Sequence, residues 1–200
     1  TDTPQHLLDI AERLWQARPR PPLAASAIDA EALSLAGNFV GAAAAWARVA
    51  RAAEDDTMAD AAEQHAGEAL RYAARQQAAT RLFLEHDWEG ALAGLEPLVR
   101  VCGPQATALY MMRCRCFKML GKLSLASQVA GQWLTWAVGA SGVSGTWARG
   151  SPRMLMAWAG ASTALELGDV EKTKKYYQLV LRADPDQPEV SSAICSVTFF

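Results

Sequence analysis

Apolar residues recur three and four apart along almost the whole chain, and runs that alternate apolar with polar are scarce until the last residues. That period places the apolar side chains on one face of a helix. Alanine is abundant between these positions and favours helix further. The pattern predicts an all-helical protein with at least seven helices and no sheet. Leu7, Leu8, Ile10, Leu14 and Trp15 outline a first amphipathic helix, which ends before Pro19-Arg20-Pro21-Pro22. An Ala-rich helical run lies between Ala50 and Gln76, behind the acidic patch Glu54-Asp55-Asp56.

Within the helical pattern one phrase returns. It has a Gly or polar residue, one more residue, then an aromatic or apolar residue. Three positions on comes an Ala, and four after that a larger apolar residue. It reads Gly37-Asn38-Phe39, Ala42, Trp46, then Asp87-Trp88, Ala91, Leu95. Gly121-Lys122-Leu123, Ala126, Ala130 follows, then Gly168-Asp169-Val170, Thr173, Tyr177, with Asp184-Pro185 after it. This resembles the second half of a tetratricopeptide repeat, in which a small residue closes the turn and Ala lets two helices approach. Ala42, Ala91, Ala126 and Thr173 are expected at close helix crossings. Trp46, Trp88, Trp133 and Tyr177 are expected in the packing. The resemblance implies an all-α, right-handed superhelix of antiparallel helix pairs, a tetratricopeptide-repeat-like α-solenoid.

The spacing is uneven. Phe39 to Trp88 is 49 residues, Trp88 to Leu123 is 35 and Leu123 to Val170 is 47. A period of about 34 is usual, so the outer steps carry roughly 13 to 15 extra residues. One excess falls in the Ala-rich run. The other falls in the Gly/Ser-rich stretch 138–152, which reads as a flexible loop. Residues 1–190 are thus expected to form about four irregular repeats. Residues 191–200 form an atypical tail ending in Ser-Val-Thr-Phe-Phe, where a repeat array needs a polar cap. The tail reads as a cut or altered end. The start at Thr1, with neither Met nor leader, reads as a mature or excised fragment.

Two stretches carry a narrower likeness. One is Trp88 to Gly121, with Leu95-Glu96-Pro97-Leu98-Val99-Arg100-Val101-Cys102 and Met112-Arg113-Cys114-Arg115-Cys116-Phe117. The other runs from Leu165-Glu166-Leu167-Gly168-Asp169 to Leu181-Arg182-Ala183-Asp184-Pro185-Asp186. Together they resemble the middle repeats of the endoplasmic-reticulum co-chaperones that join tetratricopeptide repeats to a J domain, the kinase-inhibitor type. The likeness spans roughly residues 74–190. The Gly/Ser stretch departs from that pattern, and the His-Pro-Asp triplet of a J domain does not occur in these residues. The resemblance implies a client-holding or spacer part, located in the endoplasmic-reticulum lumen, with the cytoplasm as the alternative. Its implied partners are unfolded or extended polypeptides, and a heat-shock-70-type chaperone through a J domain outside this chain.

In the repeat fold the first helix of each pair lines a concave groove. Counting back from the turns places these helices near 73–84, 106–119 and 153–166. Their groove faces would present Gln76, Thr80 and Phe83, then Met111, Arg115 and Lys118, then Leu155, Trp158 and Ser162. Met112 flanks them. Repeats that clamp an acidic chaperone tail use Lys and Asn at such positions. Here only Arg115 and Lys118 are basic and no Asn is present, which argues against a two-carboxylate clamp. A groove rich in Met and Trp suits varied unfolded segments, because flexible thioethers repack around them. The alternative is that Met111, Met112 and Trp158 are core between helices. A second functional alternative is an architectural scaffold repeat in a larger complex, with no client.

Composition narrows the remaining classes. Hydrophobic residues make up 51% and charged residues 20%, enough apolar content for a core. A net charge of −2 offers no field for nucleic acid. Glu171-Lys172-Thr173-Lys174-Lys175 reads as a solvated helix face. The apolar run Ala42 to Ala47 is too short to enter a membrane. Cys102, Cys114, Cys116 and Cys195 form no CxxC, and His6, His65 and His86 lie far from them, so zinc is not expected. Cys114 and Cys116 stand two apart on a helix and are expected on different faces, as small residues packed in or beside the core. A disulfide from Cys102 to either is awkward, since Cys114 would lie about 15 Å along a helix starting near Gly103-Pro104. Glu85, His86 and Asp87 are adjacent, do not converge, and read as turn capping. Gly139 to Gly150 lacks a GxxxxGK[ST] phosphate loop. No enzyme activity and no cofactor are expected.

Overall fold

In a computed structural model, residues 23–103, 105–139, 151–183 and 185 are described. Among them are eight helices and no strand. They are α1 (Leu23–Leu35), α2 (Phe39–Ala52), α3 (Asp56–Leu84), α4 (Trp88–Val101), α5 (Thr107–Met119), α6 (Leu123–Gly139), α7 (Pro152–Glu166) and α8 (Val170–Ala183). The expected helix at Leu7–Trp15 and the tail 191–200 lie outside the described residues, as does the Gly/Ser stretch from 140 to 150. Residues 138 and 139 belong to α6, and Ser151 already caps α7 by accepting from the Met154 amide.

The recurring phrase marks the turn inside each helix pair. Gly37, Gly121 and Gly168 have φ of 75°, 71° and 71°, a region glycine enters without steric cost. At each, two amides close the end of the preceding helix. Gly37 N donates to Ser34 O and Asn38 N to Leu33 O. The same pair of bonds occurs at Gly121-Lys122 and Gly168-Asp169. This is the Schellman arrangement, which satisfies carbonyls that the helix cannot. The second pair turns without glycine: His86 takes φ of 64°. In three of the four pairs the next helix is then capped by a side chain. Asn38, Asp87 and Asp169 accept from the amides of Gly41, Gly90 and Lys172 at 2.9–3.1 Å. Asp87 is therefore a capping residue, as its place beside His86 predicted.

The chain divides into two compact units. The first holds α1, α2, α3 and the part of α4 from Ala93 on. The extra residues of the 49-residue step extend α3 to 29 residues instead of forming a loop. Asp55 caps its start, accepting from both the amide and the hydroxyl of Thr57. Ala62, Ala66, Ala69 and Ala73 are buried along one stripe of α3. Ala69 packs with Ala42 and Ala43 of α2, and Ala62 with Val49 and Ala50. Small residues on both helices allow this close approach. Phe39 meets Tyr72 with ring centroids 5.3 Å apart, and Trp46 stacks on His65 at 4.8 Å. Trp46 is half-buried, packed beside Val49, Ala50 and Ala62. Where α4 crosses α3, a Cβ placed on Gly94 would come within 2.8 Å of Ala79 Cβ. Pro97 lies inside α4 and supplies no amide to the helix ladder.

The second unit holds His86–Leu92, α5, α6, α7 and α8. Ala126 and Thr173 are fully buried, as is Ala91 at the start of α4. The Thr173 hydroxyl is satisfied by Asp169 O at 2.7 Å. Trp133 and Tyr177 lie in the core. Trp88 is half-buried, with His86 edge-on at 5.0 Å. Tyr176 of α8 settles onto two glycines: a Cβ on Gly160 would lie 3.0 Å from its ring, and one on Gly131 3.0 Å from its hydroxyl. Cys114 and Cys116 are both buried, as small residues packed on different faces of α5. Residues two apart stand about 200° apart on the helix wheel, so α5 is covered on more than one side. Cys102, Cys114 and Cys116 are free thiols.

Candidate protein-binding face

The first helices of the pairs are α1, α3, α5 and α7. In the second unit α5 and α7 pack directly against each other as well as against their own partners. On α5, Ala108, Met111, Met112, Arg115 and Met119 follow at helical spacing and stay at least partly exposed. On α7 the corresponding stripe is Leu155, Trp158, Ala159, Ser162, Leu165 and Glu166. Met119, Leu155 and Leu165 are exposed to 53%, 41% and 41%.

Lys118 joins the two stripes. Its Nζ donates to Ser162 Oγ and lies against Glu166 Oε1, each at 2.7 Å. Of the residues expected on the face, the structure therefore brings Lys118 and Ser162 into direct contact. Met111 and Met112 are half-buried on α5, Arg115 is exposed beside them, and Leu155 is exposed on α7. Trp158 is half-buried, with its ring edge-on to Tyr177 of α8 at 6.1 Å. It thus reaches toward its own helix partner as well as toward solvent. In the first unit Gln76, Thr80 and Phe83 are half-buried along α3 at the expected spacing. Leu84 next to Phe83 is exposed to 70%.

Met119, Leu165 and Glu166 were not among the expected site residues. The signal for them was available. Counting back from the turn glycine by two or three positions reaches Met119 and Lys118 on α5, and Glu166 and Leu165 on α7.

The face carries apolar side chains with the Lys118–Glu166 ion pair between them. The Cys102, Cys114 and Cys116 thiols are each pushed up to about 11 by burial, so they are protonated at neutral pH. Cys114 Sγ lies 3.5 Å from Ala126 O, inside the α5–α6 packing. Among the described residues no three His, Cys, Asp or Glu side chains come together as metal ligands. No described helix is long and apolar enough to cross a membrane.

Paired antiparallel helices with small residues at the crossings, closed by a left-handed residue in each turn, define a helical repeat of the tetratricopeptide type. A solved structure has the same fold: the tetratricopeptide-repeat domain of P58(IPK) matches with a TM-score of 0.75. Its sequence is 17% identical, over 88% of this chain and 45% of that one. The chain thus spans less than half the length of that neighbour. No protein-family model and no curated protein matches this sequence.

Proposed function

We propose that the chain is a protein-binding repeat module that holds extended or unfolded polypeptide on the α5–α7 face. The observation that carries this is the pair of solvent-facing stripes with Met111, Met112 and Met119 on one helix and Leu155, Trp158 and Leu165 on the next. Apolar side chains on neighbouring helices give varied segments something to cover, and thioethers adapt to them at little cost. By the sequence resemblance, the module would serve as the client-holding part of a co-chaperone of the endoplasmic-reticulum lumen. A heat-shock-70-type chaperone would then be reached through a J domain outside this chain.

Affinity should be modest, because ordering a flexible client opposes binding. It should also change little with salt. The test is the double substitution Met111→Glu with Leu155→Glu, assayed by suppression of aggregation of a reduced, unfolded model protein. Both side chains reach solvent, so helix content should persist while holding is lost. A folded variant that holds the client as well as the parent does would overturn the assignment and favour a scaffold role.

A further inference from the structure

The turn residues give the four helix pairs a common register. Two positions before them stand Leu35, Leu84 and Met119, all at least 41% exposed. In the fourth pair that position is Glu166, a carboxylate among apolar counterparts. It ends α7, where the negative end of the helix dipole disfavours an acidic side chain. Local helix stability therefore gives no reason for Glu166. Its contact does: it closes on Lys118 of the preceding first helix at 2.7 Å, while Ser162 Oγ accepts a hydrogen bond from Lys118 Nζ at 2.7 Å. Lys118 itself stands in the last turn of α5, where a cation is favoured.

Resting on the assignment of α5 and α7 as the binding face, we propose that Glu166 is a specificity-determining residue, which occupies Lys118 and so makes the face select uncharged apolar segments over segments bearing carboxylates. An incoming carboxylate meets a cation already paired, and must also approach the Glu166 carboxylate. Like charges brought together in this way penalise the wrong partner more than they strengthen the right one. The preferred partner is thus an extended polypeptide stretch with apolar side chains and no acidic group near Lys118. The apolar neighbours Met119 and Leu165, each one residue from the ion pair in sequence, fit that chemistry.

The experiment uses the full chain and two fluorescently labelled peptides of the same apolar sequence. One has an amidated end and no acidic residue; the other ends in two Asp and a free carboxylate. Anisotropy titrations are made with the parent, Glu166→Gln, and Glu166→Gln combined with Lys118→Met. Glu166→Gln should raise affinity for the acidic peptide roughly tenfold and leave the neutral peptide within about twofold. Adding Lys118→Met should cancel the gain. Circular dichroism should be unchanged, since the substitution removes a charge that the helix end disfavours. An acidic-peptide affinity that does not rise in folded Glu166→Gln, or a rise that survives Lys118→Met, would overturn the proposal. If the neutral peptide does not bind the parent, the assignment of the face falls instead, and the acidic peptide's response to Glu166→Gln still decides the role of Glu166.

Discussion

His86 has the left-handed conformation that glycine holds in the other three turns. A side chain there costs roughly 1–2 kcal/mol. Glycine would relieve this, against a loss of about 0.5–1 kcal/mol in chain entropy and the edge contact with Trp88. His86→Gly should therefore stabilise the protein by up to about 1 kcal/mol in urea unfolding; a lower midpoint would show that the ring contact dominates. The buried cysteines make a second prediction at this scale. Their thiols rise from an ordinary 9.0 to about 11 on burial. Between these values the unfolded chain has lost protons that the native chain keeps. The contribution to stability is thus complete below pH 9 and fades as pH rises toward 11. At pH 8 a thiol reagent should modify Cys102, Cys114 and Cys116 only on unfolding; fast native labelling would contradict their burial.

At the scale of elements, helix crossings decide more than helix propensity does. Gly94 shows the balance. Alanine would favour helix α4 by about 1 kcal/mol. Its Cβ would stand 2.8 Å from Ala79 Cβ, which is attached to backbone and cannot swing away. Overpacking of this kind costs about 1–3 kcal/mol, so Gly94→Ala should destabilise on balance. A gain in melting temperature would mean that α3 and α4 can separate cheaply. Ala91 is fully buried, and Ala91→Leu should cost about 1–3 kcal/mol in the same measurement. The long α3 follows the same logic: its alanine stripe gives the extra residues a surface to bury, so they continue the helix.

At the scale of the molecule, folding and binding should separate by substitution. Met111→Glu with Leu155→Glu should abolish client holding and shift the melting temperature by only a few degrees, because both side chains reach solvent. Trp158→Glu should instead lower stability by about 2–4 kcal/mol, since its ring packs edge-on against buried Tyr177. If Trp158→Glu leaves the melting temperature intact and removes holding, the ring serves the face alone.

The helices and their pairing were legible in the sequence because they rest on local chemistry. Period, alanine content and a turn residue every repeat act within a few positions of one another. Asp87 as a cap and Ala42, Ala91, Ala126 and Thr173 at buried positions followed from that spacing. Cys114 and Cys116 followed as packed small residues on different faces, but the cover over both faces of α5 depends on how many helices surround it, which no local period records. Trp158 could be read as face or core, and only its contact with Tyr177 shows that it reaches its partner helix. The pairing of Glu166 with Lys118 stayed hidden for the same reason. Lys118 and Glu166 are 48 residues apart in the chain, and their meeting is a property of packed helices rather than of either segment.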